Sequence, residues 1–310
     1  MDIRNKHKIL RQGQQTLGFV ILLTISNFIP LFSQTGNTSV PQTRSAYDLS
    51  KPDQVLILPP QLHEISGITV VDPQTLACIQ DENGIIFFYD VQKKAISRSL
   101  GFLGNGDYED IARVGNEYYV LRSDRFIFQT SISGNSTSVK TISLSAIPYK
   151  NLEGLCFDSR NNLLLIIPKD GGDKDKTDKS NHPVYGYDLT NRQLMKNPVF
   201  IFDVKAVKKF VADNKIVVSK SKDGNKYDFS FSPSALAINP VNNKVYVLSG
   251  SELLLFVFDT RGTIESVIPL GQDLFTQPEG IAFERNGDML ISNEGQKKNP
   301  TILRFRYLTR

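Results

Sequence analysis

One short phrase, repeated five times, constrains this chain more than any other feature. An acidic residue or serine, a small or polar residue, then isoleucine or leucine opens a short apolar run. It occurs at Ser66-Gly67-Ile68, Glu109-Asp110-Ile111, Glu153-Gly154-Leu155, Ser234-Ala235-Leu236 and Glu279-Gly280-Ile281. The intervals are 43, 44, 81 and 45 residues, and the long one holds an insertion. Each phrase begins the same series of elements. In the last, Ile281-Ala282-Phe283 leads to the turn Arg285-Asn286-Gly287-Asp288, then to apolar runs from Met289 to Ser292 and from Ile302 to Phe305. Short runs of Val, Ile, Leu, Phe and Tyr bounded by Asn, Asp and Gly turns are strands. Four-stranded units at a period near 44 residues predict an all-β chain, a β-propeller. The β-branched content and the dense turn signals exclude helical repeats of similar period.

Counting gives a five-bladed β-propeller, with blades beginning near residues 62, 107, 151, 231 and 277. The fifth shows only three strands before Arg310. The segment Tyr47 to Leu58, with Val55-Leu56-Ile57-Leu58 as its core, is expected to add the outer strand and so leave no open sheet edge. The alternative has six blades, with the insertion 204–228 as a degenerate blade. Against it, Val204, Val207, Phe210 and Val211 have helical spacing, which predicts an amphipathic insertion followed by a polar loop from Ser219 to Lys226. The Asp- and Lys-rich run 170–178 lacks the residue order of a calcium loop and reads as a solvated hairpin tip. Cys78 and Cys156 lie in apolar runs of different blades and read as buried thiols.

The N-terminus is of another kind. Arg4, Lys6, Lys8 and Arg11 precede an apolar run from Leu17 to Phe32, and small and polar residues follow at Ser33 to Gly36. This is the pattern of a secretory signal, and it predicts cleavage near Ser33–Gln34. The rival reading is an uncleaved membrane anchor, with membrane association through residues 10–33. Its 16 apolar-run residues are fewer than the roughly 20 that span hydrocarbon comfortably. Either reading places the body outside the cytoplasm, in the periplasm or cell envelope. The expected organisation is 1–34 signal or anchor, 35–50 linker and 51–310 propeller, as a monomer. Beyond residue 34, 32 basic residues balance 31 acidic ones, which argues against nucleic-acid binding. Three His and two Cys are too few for zinc fingers or a disulfide framework.

A residue repeated just before each innermost strand is presented at a mouth of the central channel. That ring reads Ser66, Glu109, Glu153, Ser234 and Glu279. Oxygen donors around an acidic cavity suit a hard cation, and Ca²⁺ accepts six to eight oxygens in loose geometry. The plainer reading is structural, with each Glu accepting backbone N–H bonds at the blade-to-blade turn. A second ring follows each second strand: Gln80 or Asp81, Asp124, Pro168, Ser249 and Glu294. Its strands run antiparallel to the first ring's, so the two rings are expected at different mouths. Asp124 and Glu294, with Glu64 beside Ser66, are second-rank metal or channel residues. His63 reads as a turn residue within reach of the mouth. No catalytic residue is assigned, because Gly-rich phosphate loops and Gly-x-Ser-x-Gly elbows are absent.

The phrases at 151–158 (NLEGLCFD), 232–249 (SPSALAINPVNNKVYVLS) and 277–294 (QPEGIAFERNGDMLISNE) resemble the SdiA-regulated, or YjiK-like, family. EISGI at 64–68 and DYEDIA at 107–112 fall where that family opens its first two blades, and the likeness runs from about Leu58 to Tyr307. The resemblance implies a five-bladed propeller distantly related to NHL-repeat propellers and a shared calcium site. It implies no enzymatic activity. Ser234 fits the family's Pro-Ser form of the fourth opening, whereas the 170–180 loop and the 204–228 insertion have no match. Three functions follow as expectations. The first is an exported Ca²⁺-binding module that recognises a protein or small-molecule ligand on a propeller face. The second is a calcium-dependent hydrolase of lactonase or phosphoesterase type. The third is a propeller without metal.

Overall fold

The computed structural model describes residues 45–169, 180–218 and 225–308. The signal or anchor at 1–34, linker residues 35–44 and the hairpin tip at 170–178 lie outside the described residues.

Each repeat folds as an antiparallel sheet in meander order. Blade one runs Ile65–Asp72, Thr75–Gln80, Asn83–Asp90 and Ala95–Asn105, and blade two Tyr108–Val114, Glu117–Arg122, Phe126–Ser133 and Ser136–Ser143. Blade three has Leu152–Asp158, Leu163–Pro168 and Asn181–Asp188. Its outer edge is divided between Gln193–Leu194 and Phe200–Asp203, both paired to Asn181–Asp188. Blade four runs Ala235–Ile238, Val245–Ser249, Leu254–Phe258 and Ile264–Pro269. Blade five supplies Pro278–Phe283, Met289–Asn293 and Thr301–Phe305. Its fourth strand comes from the other end of the chain. Gln54–Ile57 pairs antiparallel with Thr301–Phe305, Leu56 opposite Ile302, so the expected closure is present.

The core is divided among the blade interfaces. Leu164 and Ile166 in the second strand of blade three pack with Tyr119 and Leu121 of blade two. Their neighbours Leu165 and Ile167 pack with Val247 and Phe256 of blade four. Alternate residues of one strand thus serve two different cores, as the period of two requires. This is why the inner strands read as continuous apolar runs: every residue of Val245–Ser249 and Leu254–Phe258 is buried. Outer strands such as Ser136–Ser143, by contrast, are largely exposed.

The insertion settles the blade count. Val204–Asp213 is an α-helix whose N-terminal Ala206 amide is capped by Asp203 at 3.0 Å. Val204, Val207 and Val211 are buried, and the last two join the core between blades three and four. The six-bladed alternative is therefore excluded, because 204–213 has no strand to offer. Cys78 and Cys156 are buried and unbridged. One boundary differs from expectation. Tyr47 and Leu49, which fall both in the 35–50 linker and at the start of the closing segment expected from Tyr47 to Leu58, are buried in the core between blades four and five, and the Tyr47 hydroxyl donates to the Gly287 carbonyl at 2.6 Å. The packed body thus begins before residue 51.

The closing strand is short, so one contact should dominate it. Leu56 is 1% exposed, and Leu56→Ala is expected to cost about 2–5 kcal/mol. Urea unfolding checks this as a lowered midpoint at unchanged slope.

Candidate functional site

The antiparallel register brings the start of each innermost strand beside the end of the second: Ile65 opposite Gln80, Tyr108 opposite Arg122, Leu152 opposite Pro168, and Pro278 opposite Asn293. The two rings therefore share one mouth, which corrects the expectation of opposite mouths. Antiparallel neighbours reverse direction, and that reversal places one strand's end beside the other's beginning.

The same pairing is interrupted at the same point in three blades. Glu109 between Tyr108 and Asp110, Glu153 between Leu152 and Gly154, and Glu279 between Pro278 and Gly280 each lack a partner in the register. A β-bulge leaves one residue unpaired and re-aims its side chain. Here the residue is a glutamate each time. In blade one the irregularity covers Ser66 and Gly67.

The three glutamates share one electrostatic environment. Burial, then Glu153 and Asp107, push the Glu109 carboxyl well above the usual carboxylate range, with Lys169 opposing and Glu279 adding to the rise. Burial raises Glu279 to about 7, with Glu294 and Glu153 adding to it and Lys169 and Gln277 opposing. Glu153 is 2% exposed. Its Oε1 accepts from Lys169 Nζ at 3.1 Å and from Asn151 Nδ2 at 2.8 Å. Burial works against the Lys169 ammonium, but Glu153, Glu279 and Glu109 outweigh it and raise its pKa. The acidic field extends further around the rim. Burial, then Glu64 and Glu294, raise Asp81 to about 6, and its buried Oδ1 has no hydrogen-bond partner. Burial and Glu64 also raise Glu294, against the hydrogen bonds it accepts from Gln296 and Gln277 and the nearby charge of His63.

Not every expected member joins this cluster. The Ser66 hydroxyl donates to the Tyr108 carbonyl at 2.8 Å, and that of Ser234 lies 3.4 and 3.5 Å from the Leu248 and Pro278 carbonyls. Both hydroxyls tie one blade to the next. Asp124 is exposed and held by Arg122 through two bonds of 2.7 and 3.0 Å. Its expected ring position belongs to Ser123, whose amide donates to Asp107 just as the Asp81 amide donates to Glu64 and that of Glu294 to Gln277. Lys169 occupies the same position in blade three, donating to Asn151, where Pro168 was expected. The reading from spacing was thus one residue early at Lys169 and one late at Ser123. Asp110 was missed as well. It is 2% exposed, and its carboxylate accepts from the amides of Ile111 and, across the blade boundary, Leu155, both at 2.8 Å. The signal was an acidic residue standing at the small position of the phrase.

No protein-family model matches this chain, and no curated protein matches it in sequence. Its likeness to solved structures lies in the fold. Glutaminyl cyclase from Myxococcus xanthus is 14% identical, with a TM-score of 0.57 over 83% of this chain and 95% of that one. A luciferin-regenerating enzyme is 12% identical, with a TM-score of 0.48 over 83% and 95%. The likeness to the glutaminyl cyclase is one of fold, the β-propeller of the blades described above.

The raised carboxyls set a pH dependence. A carboxyl whose folded pKa exceeds its unfolded value, about 4, holds its proton more tightly when folded. Its contribution to stability is complete below the unfolded value and is lost as pH rises through the folded one. Asp81, at about 6, and Glu279, at about 7, place that loss between about pH 4 and pH 7. In chelator the melting temperature is expected to fall across this window. Glu279→Gln should reduce the fall, and a melting temperature independent of pH would contradict the arrangement.

Proposed function

We propose that the protein is an exported propeller that binds a cation at this acidic mouth and works as a calcium-dependent binding module of the cell envelope. The observation that carries the reading is the triple bulge: at the same interruption of strand register, three blades each direct a glutamate into one partly buried cluster. Such a cluster is unfavourable with every carboxylate ionised, and a proton, an ammonium or a metal ion relieves it. Among the described residues Lys169 offers one ammonium against Glu109, Glu153 and Glu279.

The donor chemistry fits a hard cation, since it is all oxygen and comes from separate elements that can adjust. Glu109, Glu153 and Glu279 would hold the ion. Ser66 and Ser234, with their hydroxyls directed to backbone carbonyls, would support the blade openings that carry them. Among the described residues no three His, Cys, Asp or Glu side chains already stand in a ligating arrangement, so binding entails release of Glu153 from Lys169. The resemblance of the blade-opening phrases to the SdiA-regulated family motivates the same reading. The basic and apolar residues 1–34 support export, which N-terminal sequencing of the mature protein tests: retention of those residues would count against cleavage.

Calcium titration of the purified chain by calorimetry tests the site. One ion per chain is expected at micromolar to millimolar affinity, with a raised melting temperature. Because Glu279 titrates near 7, binding should strengthen from about pH 6 to about pH 8 and release protons. Glu109→Gln, Glu153→Gln and Glu279→Gln should each weaken it. Neither heat nor a melting shift at millimolar calcium would reject the site.

A second reading has its own observation. Burial and the neighbouring acids Glu153 and Asp107 raise Glu109 further than burial and Glu294 raise Glu279, and carboxyls whose pKa values are pushed apart can serve as general acid and base. Calcium-dependent turnover of a lactone or phosphate ester, lost in Glu109→Gln, would favour this hydrolase.

A further inference from the structure

The opposite end of the channel has different chemistry. The innermost strands run from the acidic mouth toward it, and their far halves enclose a cavity of about 530 Å³ to which all five blades contribute. Its wall mixes polar and apolar surface, and the apolar part comes from Ile68, Ile111, Leu155, Ile238 and Ile281 of successive blades. Its charged groups are Arg113, Arg160 and Arg285 against one acid, Asp158. That acid is 2% exposed and is already occupied by the Arg160 amide at 3.1 Å and Asn161 Nδ2 at 2.7 Å, with Arg160 Nε 3.7 Å away.

The three arginines are incompletely paired. Arg113 Nη1 donates to the Val71 carbonyl at 2.8 Å and its guanidinium also lies against the Tyr118 hydroxyl, but its buried Nε has no hydrogen-bond partner. Arg285 is exposed, and among the described residues no carboxylate lies against it. Arg160 is also exposed, with its guanidinium only at the margin of Asp158. Guanidinium groups are forked donors matched to carboxylate and phosphate oxygens. A concavity that sets convergent charged groups beside apolar side chains can hold a small molecule with a polar head and an apolar body, and the volume lies in the usual range of such sites.

We propose that this cavity is a second binding site, for a small organic anion whose apolar body seats against the inner-strand side chains and whose carboxylate or phosphate is held by Arg113, Arg160 and Arg285. The site is independent of the acidic mouth. It uses the far ends of the innermost strands and the turns after them, whereas the cation site uses the bulges at their beginnings. The two ends of one channel thus present opposite charge, and an anion that entered at the acidic end would be repelled.

The test uses the full chain and three probes of one shape: 2-naphthyl phosphate, 2-naphthoate and neutral 2-naphthol, each titrated by fluorescence. The two anions are expected to bind at one site per chain, and 2-naphthol at least about tenfold more weakly, the worth of a charge-assisted contact. Arg160→Gln and Arg285→Gln alter exposed side chains, so the fold should persist. Each should weaken anion binding about tenfold and leave 2-naphthol unchanged. Glu279→Gln should leave all three affinities as they are. Equal affinity for 2-naphthol and the anions would reduce the cavity to an apolar surface and overturn the proposal. Anion binding unaffected in the Arg160→Gln, Arg285→Gln double variant, or absent at millimolar probe, would overturn it as well.

Discussion

Five innermost strands must meet around one axis, and the rest of the molecule depends on the seams where they touch. The Ser66 hydroxyl donates to Tyr108, the Leu155 amide to the Asp110 carboxylate, the Ser234 hydroxyl lies near Pro278, and the Ser292 hydroxyl donates to Ser66. Between blades three and four the seam is steric: a Cβ on Gly154 would come within 3.0 Å of Ala235 Cα. Gly67 is subject to the same limit, since its Cβ would lie 2.5 Å from Asp110 Cα. Any larger side chain at these positions would open the ring. The buried Asp110 carboxyl, raised far up by burial against the two amides it accepts, shows how much desolvation one seam tolerates.

In blades one, two, three and five the seam lies beside a bulge, and this adjacency joins fold to site. The middle residue of the repeated phrase lies at the contact between two blades, while in those four blades the residue before it falls out of register; blade four pairs from Ala235 without interruption. Where that residue is Glu109, Glu153 or Glu279 the side chain is delivered into the channel mouth; where it is Ser66 or Ser234 it is used in the seam itself. The acidic cluster is therefore a consequence of packing geometry as much as of composition. Its mutual repulsion opposes folding, and strongly perturbed carboxyls held this way are characteristic of functional sites. Lys169 offsets part of the repulsion, placed there by the same antiparallel pairing that ends its strand beside Glu153.

The polarity of the channel follows from the polarity of the strands. All five innermost strands run in one direction along the axis, so whatever precedes them gathers at one end and whatever follows them at the other. The residues at their beginnings are rich in Glu and Asp; their far ends and the turns that follow carry Arg113, Arg160 and Arg285. A nearly neutral body thus acquires two ends of opposite sign, a separation that net charge alone conceals.

Much of the fold was legible in the sequence because it rests on periodicity. The 43-to-45-residue repeat marked the blades, the apolar run at 55–58 marked the closing strand, and the spacing of Val204, Val207, Phe210 and Val211 marked the helix. These are local patterns that report which face of an element is buried. Of the site, Glu109, Glu153, Glu279, Glu64 and Glu294 were legible as repeated or adjacent acids. Lys169, Ser123 in place of Asp124, and the seam role of Asp110 were not. A bulge shifts register by one residue, and a one-residue shift exchanges the two faces of a strand, so counting along the chain cannot say which neighbour reaches the mouth. The sequence by itself determined the number, order and closure of the blades. Only the tertiary structure decided which ring residues meet in one cluster and which bind the next blade, because those contacts join residues some forty or more positions apart across a seam.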